Sequence, residues 1–127
     1  MRLLPDSNIF IDYWKNKSED LGYIFESEDV VVCGVVRAEL LHGAISEKHL
    51  RSMTAMLDAF DEEDLGISGW QMLGENLYKL RTHGISVSFT DAVIATIAIT
   101  KGIVVWTRDN HFKLIQSVLE GLEVKFS

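Results

Sequence analysis

Residues 89–112 read FTDAVIATIAITKGIVVWTRDNHF. Thr90 and Asp91 mark a helix start, with Thr90 the expected N-cap. An apolar run through Ile99 follows, and Lys101-Gly102 is a stop signal. Residues 103–106 are a strand-length apolar run, and Thr107 and Asp109 stand just past its end. Polar residues beyond the carboxyl end of a buried strand are how an open α/β sheet builds a site in its crevice. The stretch therefore brings two acids, Asp91 and Asp109, toward one sheet edge. It needs partners from elsewhere in the chain.

The upstream residues supply them. Residues 2–5 form a short first strand, with Pro5 tolerable at its end. Asp6, Ser7 and Asn8 follow, and a helix is expected over 9–17, where Ile9, Phe10, Tyr13 and Trp14 share a face. A second helix over 18–27 leads to a strand at 30–33. Residues 35–44, VVRAELLHGA, read as a helix carrying Glu39, with an early end at Gly43. A longer amphipathic helix spans 47–60. The acidic run 61–64 reads as a solvated turn, residues 65–67 as a short strand, and 70–81 as a helix capped by His83-Gly84. Past Asp109 come a helix over 110–118 and a last strand over 122–126. This order predicts a small three-layer α/β/α sandwich with a mostly parallel sheet.

Size and composition set limits. A chain of 127 residues, 47% hydrophobic and 24% charged, is expected to fold as one domain, 1–127, with one core. No apolar run reaches the ~18–20 residues of a membrane span. The opening MRLLPDSN has an early acid and no long apolar core, so no signal peptide is expected. The lone Cys33 lies in an apolar run and cannot make an internal disulfide, which suits a cytoplasmic protein. A buried thiol is a poor nucleophile. The net charge of -7, from 19 acids against 12 bases, alone disfavours a nucleic-acid partner. A cation held by clustered carboxylates, or a basic partner protein, would offset it.

Four acids fall where a parallel sheet lets them meet. Asp6 and Asp109 follow strands, and Glu39 and Asp91 lie on helices that start from the same edge. Such carboxylates repel one another unless a cation or protons neutralise them. A set rich in oxygen and poor in sulfur and imidazole suits Mg²⁺ or Mn²⁺ rather than structural zinc. Ions of this kind bind phosphate oxygens and activate water. Read one at a time, the same acids also serve as helix caps or surface residues.

The ordered set resembles the PIN domain, and more narrowly the VapC-type toxin nucleases of toxin–antitoxin pairs. PDSNIFIDYW resembles the family's first-acid motif, VVRAELLHGA its second with Glu39 at the conserved Glu, and FTDAVIATIAITKG its third with Asp91. VVWTRDNHF is similar to the fourth, which puts Thr107 and Asp109 on the family's Thr/Ser and final Asp. The likeness runs from residue 3 to 126 and is weakest over 65–80. It implies a Mg²⁺-dependent endoribonuclease, with Mn²⁺ as a substitute, that cleaves structured RNA such as transfer or ribosomal RNA. It further implies a homodimer and a VapB-type antitoxin that covers the site and binds DNA through its other end. A basic side chain of that antitoxin suits the cation position.

On this resemblance Asp6, Glu39, Asp91 and Asp109 are the expected metal-site residues, with Asp6 and Asp109 the primary ligands and Asp91 a direct ligand or a holder of one. Glu39 is the expected holder of the attacking water, with an ordinary surface acid facing Arg37 or His42 as the alternative. Thr107 is expected to bond a carboxylate, a metal water or a substrate phosphate. Asn8 is expected to fix Asp6 or cap its helix, and is also a candidate for substrate binding. Arg108, His111 and Lys113 are candidates for gripping an RNA backbone; Arg108 offers bidentate pairing with phosphate, and His111 invites a general-acid role. Asp12 reads as surface, and Trp14, Trp70 and Trp106 as core before base-stacking.

The alternative function is a catalytically silent PIN-like module that binds RNA or protein. An aspartyl phosphatase would want a second Asp where Asn8 stands, and no Gly-rich phosphate loop is present. DNA cleavage would use the same site chemistry, so the residues do not separate it from RNA cleavage.

Overall fold

The structure, a computed structural model, describes residues 1–127. Its elements run β1 (Arg2–Pro5), α1 (Ser7–Asn16), α2 (Glu19–Ser27), β2 (Asp29–Val32), α3 (Gly34–His42), α4 (Glu47–Leu57) and β3 (Asp61–Glu62). They continue with α5 (Ile67–Thr82), α6 (Phe89–Lys101), β4 (Val104–Thr107), α7 (His111–Val118) and β5 (Val124–Phe126). The strands form one sheet in the order β3-β2-β1-β4-β5, and every neighbouring pair is parallel. The chain thus steps outward from β1 to β2 and β3, then returns to the other side of β1 for β4 and β5. Right-handed crossovers put helices on both faces of such a sheet. The result is the three-layer sandwich the sequence predicts.

Burial follows the strand order. Leu3, Leu4, Val30, Val31, Val32, Val105 and Trp106 are buried, because central parallel strands are covered on both faces and need continuous apolar runs. The edge strand β3 is exposed at both residues. All 28 buried apolar residues form one connected cluster, as expected of a chain this short. Against it the partly buried Phe25 packs at 4.9 Å from the Trp106 ring and 5.4 Å from Phe10.

Helix α6 organises the interior. Residues 92–98 are buried without a break, and a helix apolar all round belongs inside a core. It packs against α3, α5 and β4. Inside that contact Asn76 donates to the Thr96 hydroxyl at 3.0 Å, and Thr96 donates to the Ala92 carbonyl at 2.8 Å. No helix is long and apolar enough to cross a membrane.

Four expectations are corrected. The short strand is not at 65–67; it is Asp61–Glu62, and Ile67 already begins α5. The acidic run 61–64 is accordingly no solvated turn. Val31 pairs with Asp61 in the sheet, Glu62 binds Arg37 at 2.6 Å and Glu63 binds Arg2 at 2.9 Å. Asp64 accepts the Gly34 amide with both carboxylate oxygens, at 3.1 and 3.2 Å, capping α3 where Cys33 offers no side-chain bond. Helix α6 is capped by Ser88, whose hydroxyl accepts the Asp91 amide at 3.1 Å, and not by Thr90. Finally, Trp70 is 57% exposed and lies outside the core, whereas Trp106 is fully buried.

Candidate active site

The strand order reverses between β1 and β4, and in open α/β sheets the crevice past the strand ends at such a switch point is where ligands bind. Pro5 stands opposite Trp106 in the register, so the next residues, Asp6 and Thr107, meet at that crevice. The Asp6 amide donates to the Trp106 carbonyl at 3.1 Å. Its carboxylate is then fixed at both oxygens: Oδ1 accepts the Ile9 amide at 3.2 Å, as the N-cap of α1, and Oδ2 accepts the Thr107 hydroxyl at 2.5 Å. Asp6 is only 5% exposed.

A polar chain continues from there. Thr107 Oγ1 accepts the Asp109 amide at 2.9 Å, and Asp109 Oδ1 accepts the His111 amide at 2.9 Å. His111 Nε2 lies 2.6 Å from the Ser86 carbonyl; a carbonyl only accepts, so that nitrogen carries the proton. Two residues on from Ser86, Ser88 caps α6 by accepting the Asp91 amide in its first turn. Asp6, Asp109 and Asp91 are thereby linked through Thr107, His111 and the 86–88 segment.

The three aspartates are coupled through space as well. Burial raises the Asp6 pKa above the ordinary carboxylate range, and the charges of Asp91 and Asp109 push it further, while the Thr107 and Ile9 bonds pull it down. Burial also raises Asp91, with the Ser88 hydroxyl acting against it and Asp109 adding repulsion. No Lys or Arg pairs with any of the three within salt-bridge distance. Among charged groups only His111 acts to lower Asp91, and like charges brought together with no Lys or Arg partner call for a cation or protons. The donors are all carboxylate and hydroxyl oxygens, which fits a hard divalent ion. No three acidic, histidine or cysteine side chains yet enclose a single point, so holding an ion requires the carboxylates to turn inward.

Glu39 is exposed on α3, a helix that packs against α1 and α6. It makes no hydrogen bond or ion pair to the protein, and the suggested facing residue Arg37 is engaged elsewhere, by Asp58 at 2.9 Å and Glu62 at 2.6 Å. Asn8 is exposed in the first turn of α1. It neither fixes Asp6 nor caps the helix, since Asp6 is itself the cap. Arg108 reaches Asp12 at 3.4 Å, with both side chains more than a third exposed. Lys113 turns away, with its ammonium 5.2 Å from the Phe126 ring centroid. Burial pushes the Cys33 thiol up to about 11, which removes it as a nucleophile.

Sequence reading passed over Ser88, Ser86 and Asp64. Ser88 was legible: Ser88-Phe89-Thr90-Asp91 has the serine-to-acid spacing of a capping box. Ser86 acts through its backbone carbonyl and Asp64 across 30 residues, and neither leaves a local pattern.

The four acids line none of the larger cavities. The largest, about 680 Å³, lies away from them and is lined by Tyr13, Trp14, Gly22, Tyr23, His49 and Met56 among others.

No curated protein matches the chain by sequence, but solved structures match it closely in fold. The DNA-bound VapBC complex of Salmonella typhimurium has a chain that superposes with a TM-score of 0.85 at 24% identity, covering 99% of this chain and 98% of that one. VapBC2 of Rickettsia felis, bound to a promoter DNA fragment, gives 0.84 at 18% identity, over 100% and 99%. VapC20 of Mycobacterium tuberculosis, a sarcin–ricin-loop-cleaving toxin, gives 0.67 at 16% identity, over 87% and 92%. At such identities the likeness is one of fold. The sequence itself is matched by the PIN-domain model over residues 3–117, a span that runs from β1 into α7 and takes in Asp6, Glu39, Asp91 and Asp109 together. The chain belongs to the PIN-domain family.

Proposed function

We propose that this protein is a VapC-type toxin, a Mg²⁺- or Mn²⁺-dependent endoribonuclease that cleaves structured RNA and is held inactive by a VapB-type antitoxin. The observation that carries this reading is the buried Asp6 carboxylate, whose charge is opposed both by burial and by Asp91 and Asp109. Three carboxylates at a sheet switch point with no Lys or Arg partner are a poor device for stability and a good one for holding a divalent cation. The neighbours of like fold include VapBC complexes and a toxin that cleaves a ribosomal RNA loop, which supports RNA as the substrate class and a VapB-type protein as the partner.

In this reading Asp6, Asp91 and Asp109 hold the ion, and Glu39 is contributed from α3. A bound Mg²⁺ supplies positive charge to the scissile phosphate and lowers the pKa of water. Thr107 keeps Asp6 aimed into the crevice. Glu39 is free of protein partners, so its carboxylate orients the attacking water and takes its proton. Arg108 is tied only to the half-exposed Asp12 and is the side chain best placed to exchange that partner for an RNA phosphate. Asn8 and His111 border the same crevice. Lys113, held over Phe126, contributes at most to the outer rim. The working form is a cytoplasmic homodimer that meets DNA only through its antitoxin.

The test is cleavage of total cellular RNA by purified, antitoxin-free protein with Mg²⁺ or Mn²⁺, with EDTA, and with Asp6→Asn. Discrete fragments that need metal and vanish in the variant support the proposal, and their ends identify the RNA. Folded protein that binds Mn²⁺ but cleaves nothing would favour a silent RNA- or protein-binding module. Cleavage that survives Asp6→Asn would remove the assigned site.

A further inference from the structure

We propose that His111 is a positioning residue, a latch between the β4–α7 turn and the α5–α6 connection that holds Asp91 against Asp109. Its consequence for metal binding rests on the carboxylate site proposed above; the latch itself does not.

Asp109 and Asp91 are bound to the fold through different segments. Asp109 belongs to the β4–α7 turn, anchored through Thr107 to Asp6 and so to the centre of the sheet. Asp91 belongs to the first turn of α6, which is reached from α5 by residues 83–88. That connection is exposed at Gly84, Ser86 and Ser88, includes Gly84 at φ +74, and packs on the core only through the partly buried Ile85 and Val87. Meanwhile the charges of Asp91 and Asp109 repel each other. A direct bond between the two segments would hold these acids together against that repulsion.

His111 is the side chain that bridges them. Its backbone amide donates to Asp109 Oδ1 at 2.9 Å, and its Nε2 donates to the Ser86 carbonyl at 2.6 Å. One residue thus grips the turn with its main chain and the connection with its ring, across a separation of 25 positions. Two residues past Ser86, Ser88 caps α6 at the Asp91 amide. Fixing the Ser86 carbonyl therefore fixes the entry angle of the helix end that carries Asp91. The same bond commits Nε2 to a carbonyl, which replaces the general-acid role for that nitrogen with a structural one.

Two conservative variants separate this from a generic loss of stability. His111→Gln places an amide N–H near the position of Nε2 and should keep the bond, whereas the shorter amide of His111→Asn falls near Nδ1 and cannot reach Ser86. Both are polar at a half-buried helix start, so both should fold. Hydrogen exchange on the full, metal-free chain reads the latch directly. The amides to follow are Ile85, bonded to the Leu80 carbonyl, and Asp91 and Ala92, bonded to Ser88. In His111→Asn they should exchange about fivefold faster, the effect of one ordinary hydrogen bond, with the β1 amides unchanged; His111→Gln should exchange as the parent does. Calorimetric Mn²⁺ affinity should follow the same order, about fivefold weaker in Asn and near parental in Gln.

Equal exchange in the two variants would overturn the latch. Faster exchange in Asn with unaltered Mn²⁺ affinity would overturn the positioning of Asp91. A parent chain that binds no Mn²⁺ would overturn the metal reading of the site, and the exchange rates would still decide the latch.

Discussion

The Thr107 hydroxyl donates to the Asp6 carboxylate at 2.5 Å and accepts the Asp109 amide at 2.9 Å, so one side chain of β4 ties two site acids together. Both atoms of the first bond belong to buried residues. Removing the hydroxyl while keeping the shape leaves a buried carboxylate oxygen and a backbone amide without their partner. Thr107→Val should therefore destabilise the protein by about 1–3 kcal/mol and abolish most metal-dependent activity, with Thr107→Ser recovering much of both. Urea unfolding together with the cleavage assay checks this. A Val variant of parental stability would mean that the bond contributes nothing.

Asp6 gives a pH signature of unusual sign. Its folded pKa is raised, chiefly by burial, so the folded state holds the proton more tightly than the unfolded chain does. The stability contributed by protonation is full below the unfolded pKa and is lost as pH rises through the folded one. In EDTA, Asp6→Asn cannot titrate and escapes this loss. The stability of Asp6→Asn relative to the parent should grow as pH climbs from about 4, the ordinary carboxylate range, toward neutrality. Urea unfolding at a series of pH values measures it; a pH-independent gap would contradict the raised pKa.

Divalent metal should reverse the same penalty. A ligand that binds only the folded state stabilises it by about 2.7 kcal/mol at a hundred times its Kd. Adding Mn²⁺ to the EDTA-treated protein should raise Tm, and should do so far less in Asp6→Asn or Asp91→Asn. Parental gains in these variants would put the ion elsewhere.

At the far end of the sheet, Asp64 offers a control without site chemistry. Its carboxylate caps α3 through the Gly34 amide, and losing an N-cap costs about 0.5–2 kcal/mol. Asp64→Ala should lower stability by that amount and leave Mn²⁺ affinity within about twofold, the scatter expected of a distant site. A Cβ at Gly34 would stand 3.1 Å from Asp64 Oδ2, so Gly34→Ala should displace the cap and cost as much. Thermal unfolding beside Mn²⁺ titration decides both.

Much of the site was legible because its acids sit at element ends. Asp6 follows an apolar strand and precedes an amphipathic helix, Asp109 follows another strand, and Asp91 opens an apolar helix. Chain order and a parallel sheet then bring them to one edge. Asn8 was misread for a local reason: Asp6 and Asn8 are both good capping residues two positions apart, and the backbone gives the cap to Asp6. Thr90 lost its cap to Ser88 in the same way.

By itself the sequence determined the helices, the central strands, their order and the family, since apolar periodicity and turn residues act over a few positions and are written locally; the polar edge strand Asp61–Glu62 carries no such pattern. Tertiary structure alone decided the pairings: Thr107 with Asp6, His111 with Ser86, Asp64 with Gly34, Arg37 with Asp58 and Glu62. Apart from Arg37 and its two acids, these join groups whose charge or hydrogen-bonding capacity could be met by many others in the chain. Only the sheet register, with Pro5 opposite Trp106 and Val31 opposite Asp61, brings particular partners within reach. A hydrogen bond is too short-ranged to choose its partner before that register exists.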